Sequence, residues 1–373
     1  MGAAANTQPE INDQGLILRP WRADDAGAVL RACQDPAVQR WTRVPSPYLP
    51  EHATQFVAQQ SAAAWREGIG APFAVVDPQT GELLASCGLV TIDRVLASAE
   101  VGYWTAPWAR GRGVATRATR AISRWAFESL SLRRVLWQAA IGNHASRLVA
   151  LRAGFRLEGY LRLADEGLDA WVGSLLPGDP LDPVIDEWVV RRARLFGGPQ
   201  PVLAAKGGLR LRPPDLHDLD AVVDACRDPE SMRWTTVPDP YELAHAEDFV
   251  LRGTPTRWAR GDGVVYAIAD PTGAWAGSID LRISADDPLV GEVGFLAAPR
   301  VRGRGYMTAA LSALAGWGFG ALGLARIVWR AHVGNVASRR VAEKAGFVME
   351  GTQRGALAHR GERKDAWVGG LVP

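Results

Sequence analysis

Apolar and polar residues alternate along this chain with two different periods. Over residues 113–129, Ala118, Ile122, Trp125 and Ala126 recur at three- and four-residue steps, which predicts an amphipathic helix. A shorter helix is predicted over 146–153, ended by Gly154. Asp24 and Asp25 are suited to cap a helix running to about Gln34, and 54–65 also reads as helical. Short apolar runs predict strands beginning at Leu16 and over 73–76, 83–89, 100–105 and 135–140. The turn Asp77-Pro78-Gln79-Thr80-Gly81 joins the second and third of them. Further along the order recurs: strand 292–296, helix 305–320, strand 327–332, helix 338–345. Helices interleaved among mainly antiparallel strands place the chain in the α/β class, with a mixed sheet of the α+β kind.

That recurrence is a duplication. Leu18-Arg19-Pro20 returns as Leu211-Arg212-Pro213, Asp35-Pro36 as Asp228-Pro229, and Arg40-Trp41-Thr42 as Arg233-Trp234-Thr235. Arg110-Gly111-Arg112-Gly113 returns as Arg302-Gly303-Arg304-Gly305, and Asn143 with Ser146 as Asn335 with Ser338. Asp169-Ala170-Trp171-Val172-Gly173 returns as Asp365-Ala366-Trp367-Val368-Gly369. Chance does not keep so many matches in order at nearly constant spacing. The repeat is also far too long for a solenoid unit, so each copy must bury a core of its own. The expected organisation is a loose tail (1–15), a first domain (16–176), a linker with a short helix (177–208) and a second domain (209–373). Ile185, Trp188, Val189 and Leu195 give the linker its helical spacing.

Composition narrows the function. The 42 basic and 40 acidic side chains leave a net charge of +2, which argues against a nucleic-acid binder. Cys33, Cys87 and Cys226 form no CxxC pair, and the six histidines have no metal-binding spacing, so no metal is expected. No apolar run approaches the roughly 20 residues that cross a bilayer, and the first residues do not read as a secretion signal. A soluble, cytoplasmic protein without a membrane or nucleic-acid partner is the expectation; the sequence is silent on oligomeric state.

The chemistry concentrates where a strand, an arginine–glycine loop and a helix follow one another. In the first copy this is Glu100 to Trp104, then Arg110-Gly111-Arg112-Gly113, then the helix beginning Val114-Ala115. Glycine lets the backbone turn tightly and approach a ligand, and a helix start offers free N–H groups and partial positive charge to a diphosphate. The second copy offers Arg302, Gly303, Arg304, Gly305, Tyr306 and Met307. A solvated turn before a helix is the alternative for one isolated match; the flanking elements and the second occurrence weigh against it. A P-loop is disfavoured, since neither loop ends in Gly-Lys-Ser/Thr.

Arg110, Gly113 and Ala115 fill a pattern that resembles the acetyl-CoA pyrophosphate signature of the GNAT N-acetyltransferases, Arg/Gln-x-x-Gly-x-Gly/Ala. Arg302 and Gly305 fill it in the second copy, with Met307 at the last position, where a larger side chain could crowd the loop. Asn143-x-x-Ser146, Ala153-Gly154-Phe155 and Glu158-Gly159 resemble the RimJ/RimL branch, which acetylates ribosomal-protein N-termini. Asn335, Ser338, Gly346-Phe347 and Glu350-Gly351 repeat them. The resemblance covers nearly all of each copy and implies two tandem acyl-CoA N-acyltransferase domains. It implies transfer of acetyl from acetyl-CoA to a primary amine, on a small molecule or a protein N-terminus, with one copy catalysing and the other a structural or ligand-sensing module as the alternative.

The resemblance also suggests roles for individual residues. Arg110 to Ala115 with Asn143, and Arg302 to Met307 with Asn335, would hold the cofactor. Glu100 and Glu292 would take the acceptor's proton, or else serve as structural carboxylates. Many relatives place a tyrosine acid on the helix after the asparagine, but Ala150 and Ala342 stand there, so that role is vacant. Ser146 and Ser338 resemble the hydroxyl that the RimJ/RimL branch places near the leaving thiolate, the alternative being that Asn143 or Ser146, and Asn335 or Ser338, are helix caps alone. Trp41 and Tyr48, with Trp234 and Tyr241, lie in a proline-stiffened segment expected to cover the acceptor, although a lone Trp is more often core. His52 and His245 read as caps or surface groups.

Overall fold

A computed structural model of the chain describes residues 7–165 and 167–373. Residues 1–6 of the expected tail, and Glu166, lie outside the described residues. The chain divides into two compact units, residues 1–186 and 187–373.

In the first unit the strands are β1 (Ile11–Asp13), β2 (Leu16–Arg19), β3 (Ala71–Val76), β4 (Leu83–Asp93), β5 (Ser98–Thr105), β6 (Arg134–Ala140), β7 (Arg156–Asp165) and β8 (Leu168–Leu175). Its α-helices are α1 (Ala26–Cys33), α2 (Pro36–Trp41), α3 (Pro50–Gln55), α4 (Ser61–Glu67), α5 (Val114–Leu130) and α6 (His144–Arg152). The strands form one sheet in the order β1-β2-β3-β4-β5-β6-β8-β7. All neighbours are antiparallel except β5 and β6.

The second unit holds β9 (Leu203–Ala205), β10 (Leu209–Arg212), β11 (Gly263–Ala269), β12 (Trp275–Ile283), β13 (Val290–Ala297), β14 (Arg326–His332), β15 (Val348–His359) and β16 (Glu362–Leu371). Its α-helices are α7 (Glu187–Phe196), α8 (Leu219–Arg227), α9 (Pro229–Trp234), α10 (Leu243–Asp248), α11 (Thr254–Arg260), α12 (Tyr306–Gly320) and α13 (Val336–Lys344). Its sheet repeats the first one's order, with β13 and β14 as the parallel pair.

The cores follow the apolar pattern. Val114, Ala118, Ala121, Ile122 and Ala126 of α5 are buried, on the face the periodicity predicts. Trp125 packs its ring against Phe73 at 5.6 Å. In β11 every residue is buried, so that strand reads as a continuous apolar run rather than an alternation. Burying a large apolar side chain contributes about 1.5–3 kcal/mol, which is why these elements rather than their exposed neighbours fix the fold.

Two expectations change. Ile11–Asp13 of the expected tail pairs with β2. Of the expected linker, α7 sets Phe196 against Trp258 at 4.8 Å and β9 pairs with β10, so both elements belong to the second unit's core and sheet. The hairpins β7–β8 and β15–β16 escape the sequence pattern, because β7 exposes Tyr160, Leu161 and Leu163 and β15 is exposed over most of its length.

Candidate active site

The parallel pair in each sheet comes apart. β5 and β6 pair from Ser98/Arg134 to Glu100/Leu136 and no further. Beyond that point β5 stays bonded to β4 as far as Thr105, and β6 to β8 as far as Ala140. A V-shaped cleft therefore opens between two adjacent strands, each presenting backbone N–H and C=O groups to it. The second copy does the same beyond Val293/Trp329. The cleft head differs between copies. In the first, a bulge at Val90 interrupts the β4 ladder opposite Glu100; in the second, β12 pairs with β13 in unbroken register from Gly277 to Ile283.

The arginine–glycine loop follows β5. Gly111 and Gly113 have φ of +75° and +70°, and Gly303 and Gly305 have +75° and +79°. Such left-handed positions suit glycine and turn successive N–H groups toward one side. Gly113 and Gly305 are the residues at which α5 and α12 begin, so the first N–H groups of Val114-Ala115 and Tyr306-Met307 have no partner within the helix. A β-carbon added at Gly111 or Gly113 would meet nothing within 4 Å. The loop is an open cradle of amide donors at a positive helix end, a donor set that fits a diphosphate.

The loop's first arginine is bonded to a carboxylate. Arg110 donates bidentately to Asp35, at 2.6 and 3.2 Å. Asp35 also caps α2 by accepting from the N–H groups of Ala37 and Val38. The hydrogen bond from Arg110 holds the Asp35 carboxyl below its usual range. Arg302 repeats this with Asp228 at 2.5 Å and Ser231 Oγ at 3.0 Å. Each guanidinium is thus committed to a carboxylate and ties the loop to the first helices, while Arg112 and Arg304 are exposed. Met307 does not crowd the loop. It is 7% exposed and sits in the core, and the space it fills is left by Gly277 of β12.

A hydroxyl cluster ties β5, β6 and α6 together. Trp137, 1% exposed, donates its Nε1–H to Ser146 Oγ and Tyr103 Oη, both at 3.1 Å. The two hydroxyls lie 3.0 Å apart. Asn143 Oδ1 accepts from the Ser146 N–H at 3.1 Å, which is the cap geometry the spacing predicts. Burial pushes the Tyr103 hydroxyl well above its ordinary range, so it keeps its proton at neutral pH. In the second copy Trp329 donates to Ser338 Oγ at 3.0 Å and Asn335 caps the same way, but Phe295 replaces the tyrosine. Sequence reasoning passed over Tyr103; comparing the copies position by position, Tyr103 against Phe295, would have singled it out.

The two glutamates also diverge. Glu100 stands where β5 leaves β6, opposite the bulge. Glu292 occupies the matching place but is clamped between Arg282 at 3.2 Å and Arg330 at 3.1 Å. The first copy has Gln138 where the second has Arg330. In the second copy this carboxylate thus joins two neighbouring strands through ion pairs.

Of the expected acceptor residues, Tyr48 and Tyr241 are core residues, 5% and 6% exposed. Their rings pack against His52 and His245, whose Nδ1 atoms accept from the N–H groups of Leu49 and Glu242 and cap α3 and α10. Trp41 is half-buried under the Arg40 guanidinium. Trp234 lines a cavity in the second unit. Among the described residues no helix is long and apolar enough to cross a membrane, and no cluster of His, Cys, Asp and Glu could hold a metal ion.

A mixed sheet with a parted parallel pair and an amide cradle at a helix start defines an acyltransferase-like architecture, present twice. The family model described as an acetyltransferase (GNAT) domain matches residues 15–156 and again 208–348, and the chain belongs to that family. Over 82 residues, 22% of this chain and 45% of the relative, it is 44% identical to a Bacillus subtilis (strain 168) protein provisionally named ribosomal N-acetyltransferase YdaF. It is 34% identical over 90 residues, 24% of this chain, to the ribosomal-protein-serine acetyltransferase of Escherichia coli (strain K12). The chain thus spans 45% and 50% of these two relatives' lengths. The solved ribosomal-protein-S5-alanine acetyltransferase of Vibrio fischeri is 20% identical, with a TM-score of 0.41, over 47% of this chain and 100% of its own.

Proposed function

We propose that the first copy transfers an acetyl group from acetyl-CoA to a primary amine, and that the second copy binds acetyl-CoA in the same way. The observation that carries this is the trio Trp137, Tyr103 and Ser146, set between the strands that part in the first cleft and the helix beside it. When bound, acetyl-CoA supplies an activated thioester. The amides of Gly111 to Ala115 would hold its diphosphate, and the free backbone edges of β5 and β6 would hold an amide-bearing arm. Asn143 would fix the start of α6. Glu100, directly or through water, would take the ammonium proton of the acceptor. The Ser146 hydroxyl would donate a hydrogen bond to the sulfur as its negative charge develops, with the protonated Tyr103 hydroxyl bonded to it. Trp137 fixes both hydroxyls before the reaction, so little reorganisation is needed. The acceptor is a small amine or a protein N-terminus; the names of the ribosomal-protein acetyltransferase relatives support the latter.

A second reading, unequal copies, is favoured by Phe295, which stands where the first copy has Tyr103. The second copy would bind acetyl-CoA and turn over more slowly. Thiol release from acetyl-CoA, followed over a panel of amines and peptides, tests the proposal. Turnover that depends on Ser146 and Tyr103 supports it, and release unchanged in both Ser146→Ala and Tyr103→Phe overturns it.

A further inference from the structure

The second unit carries a cavity of about 840 Å³ that the duplication does not explain. Its walls come from α9, the segment after it, the end of β14 and the tip of the β15–β16 hairpin. Trp234, His332 and His359 form an aromatic wall, with ring centroids 6.3 Å apart for Trp234–His332 and 4.7 Å for His332–His359, both edge-to-face. His332 ends the strand that has parted from β13, three positions before Asn335, the cap of the helix bearing Ser338. The cavity therefore lies at the open end of the second cleft.

Arg233, Arg360, Arg363 and Lys364 line it together with the carboxylates of Asp239 and Asp365. Three of these cations have carboxylate partners: Arg233 with Glu230 at 3.6 Å, Arg360 with Asp239 at 3.3 Å and Lys364 with Glu362 at 2.5 Å. Arg363 is held by a carbonyl, that of Ala356 at 3.5 Å. Burial, with His359 and Lys364 nearby, pushes His332 below the usual histidine range. The guanidinium held by a neutral partner is that of Arg363.

The common fold does not require this. Aligning Asp169 with Asp365 puts Leu168 where the second copy has Lys364 and Gly167 where it has Arg363. The alignment of the glycine loops puts Ala140 opposite His332. At its hairpin the first copy exposes Leu161, Leu163 and Leu168 instead. A merely solvated hairpin tip would not need adjacent cations, where the first copy has Gly167 and Leu168, beside an aromatic wall.

We infer that the acceptor pocket of the second copy takes a small amine that also bears an anionic group, a carboxylate or a phosphate. This rests on the reading of the second copy as an acetyl-CoA-binding transferase domain, and it names the acceptor class. A cavity of this size suits a small molecule. Forked guanidiniums recognise carboxylate and phosphate alike.

The test is calorimetric titration of the full chain with ethanolamine, O-phosphoethanolamine and β-alanine. The two anionic amines are expected to bind at least tenfold more tightly than ethanolamine, and the R363E/K364E variant to lose that advantage. The stronger of the two identifies phosphate or carboxylate as the group recognised. Equal affinity for all three amines, or a preference untouched by R363E/K364E, overturns the proposal. A separate arm titrates acetyl-CoA into Gly113→Trp, which closes the first cradle. Anionic-amine binding without acetyl-CoA binding there would sink the transferase reading of the second copy while leaving the anion pocket standing.

Discussion

Arg110 and Asp35 stand 75 positions apart in sequence and meet through two hydrogen bonds, the shorter 2.6 Å. The same bridge, Arg302 to Asp228, recurs in the second copy. One carboxylate both caps α2 and anchors the glycine loop, so loop geometry and helix start depend on one group.

Replacing Asp35 with Ala removes a cap worth about 1 kcal/mol and a half-exposed ion pair worth up to about 1 kcal/mol. For a domain of this size that corresponds to a fall in Tm of about 4–8 °C, with weaker acetyl-CoA binding. The Asp35 carboxyl titrates lower in the folded than in the unfolded chain. Its stabilising effect is therefore present above the unfolded value near 4 and is lost as pH falls through the lower folded value. Differential scanning calorimetry from pH 7 to pH 3 should show a smaller acid-induced loss in Asp35→Asn than in the unaltered chain. Parallel losses would show that the pair contributes nothing.

The hydroxyl pair gives an asymmetric expectation. Tyr103→Phe converts the first cluster into the arrangement of the second copy and should lower kcat about 10- to 100-fold with little change in KM for acetyl-CoA. Ser146→Ala should cost at least as much. Steady-state thiol release measures both, and a change confined to KM would place these hydroxyls in binding rather than in proton donation.

Glu100 and Glu292 separate catalysis from structure. Glu100→Gln should lower turnover with acetyl-CoA affinity retained. Glu292→Gln weakens contacts to Arg282 and Arg330 and should lower Tm by a few degrees with a smaller effect on turnover. Kinetics and melting curves on the two variants decide this. Equal kinetic losses would mean that the arginine clamp does not disable Glu292.

Much of this was legible in the sequence, for physical reasons that differ by element. The α5 face, the Gly111 and Gly113 turn and the Asn143 cap are local: period, glycine and spacing suffice to expect them. The two-domain plan was legible because the copies check one another. The bridge from Arg110 to Asp35 was not, since Arg110 reads locally as a phosphate ligand and Asp35 only as half of a repeated Asp-Pro pair. Tyr48 and Tyr241 misled because a Pro-Tyr segment looks like a loop, whereas the tyrosines turn inward and stack on the capping histidines. The clamp on Glu292 depends on Arg282 and Arg330, which flank it across two different strands and leave no mark in the sequence near Glu292.

The central claim is that each copy offers its glycine-loop amides to one acetyl-CoA. Isothermal titration of acetyl-CoA into the full chain should give two sites. Gly113→Trp and Gly305→Trp should each remove one, because φ near +70° to +79° is costly for any residue with a β-carbon and an indole fills the open cradle. Two sites persisting in both variants, or none in the unaltered chain, would contradict it.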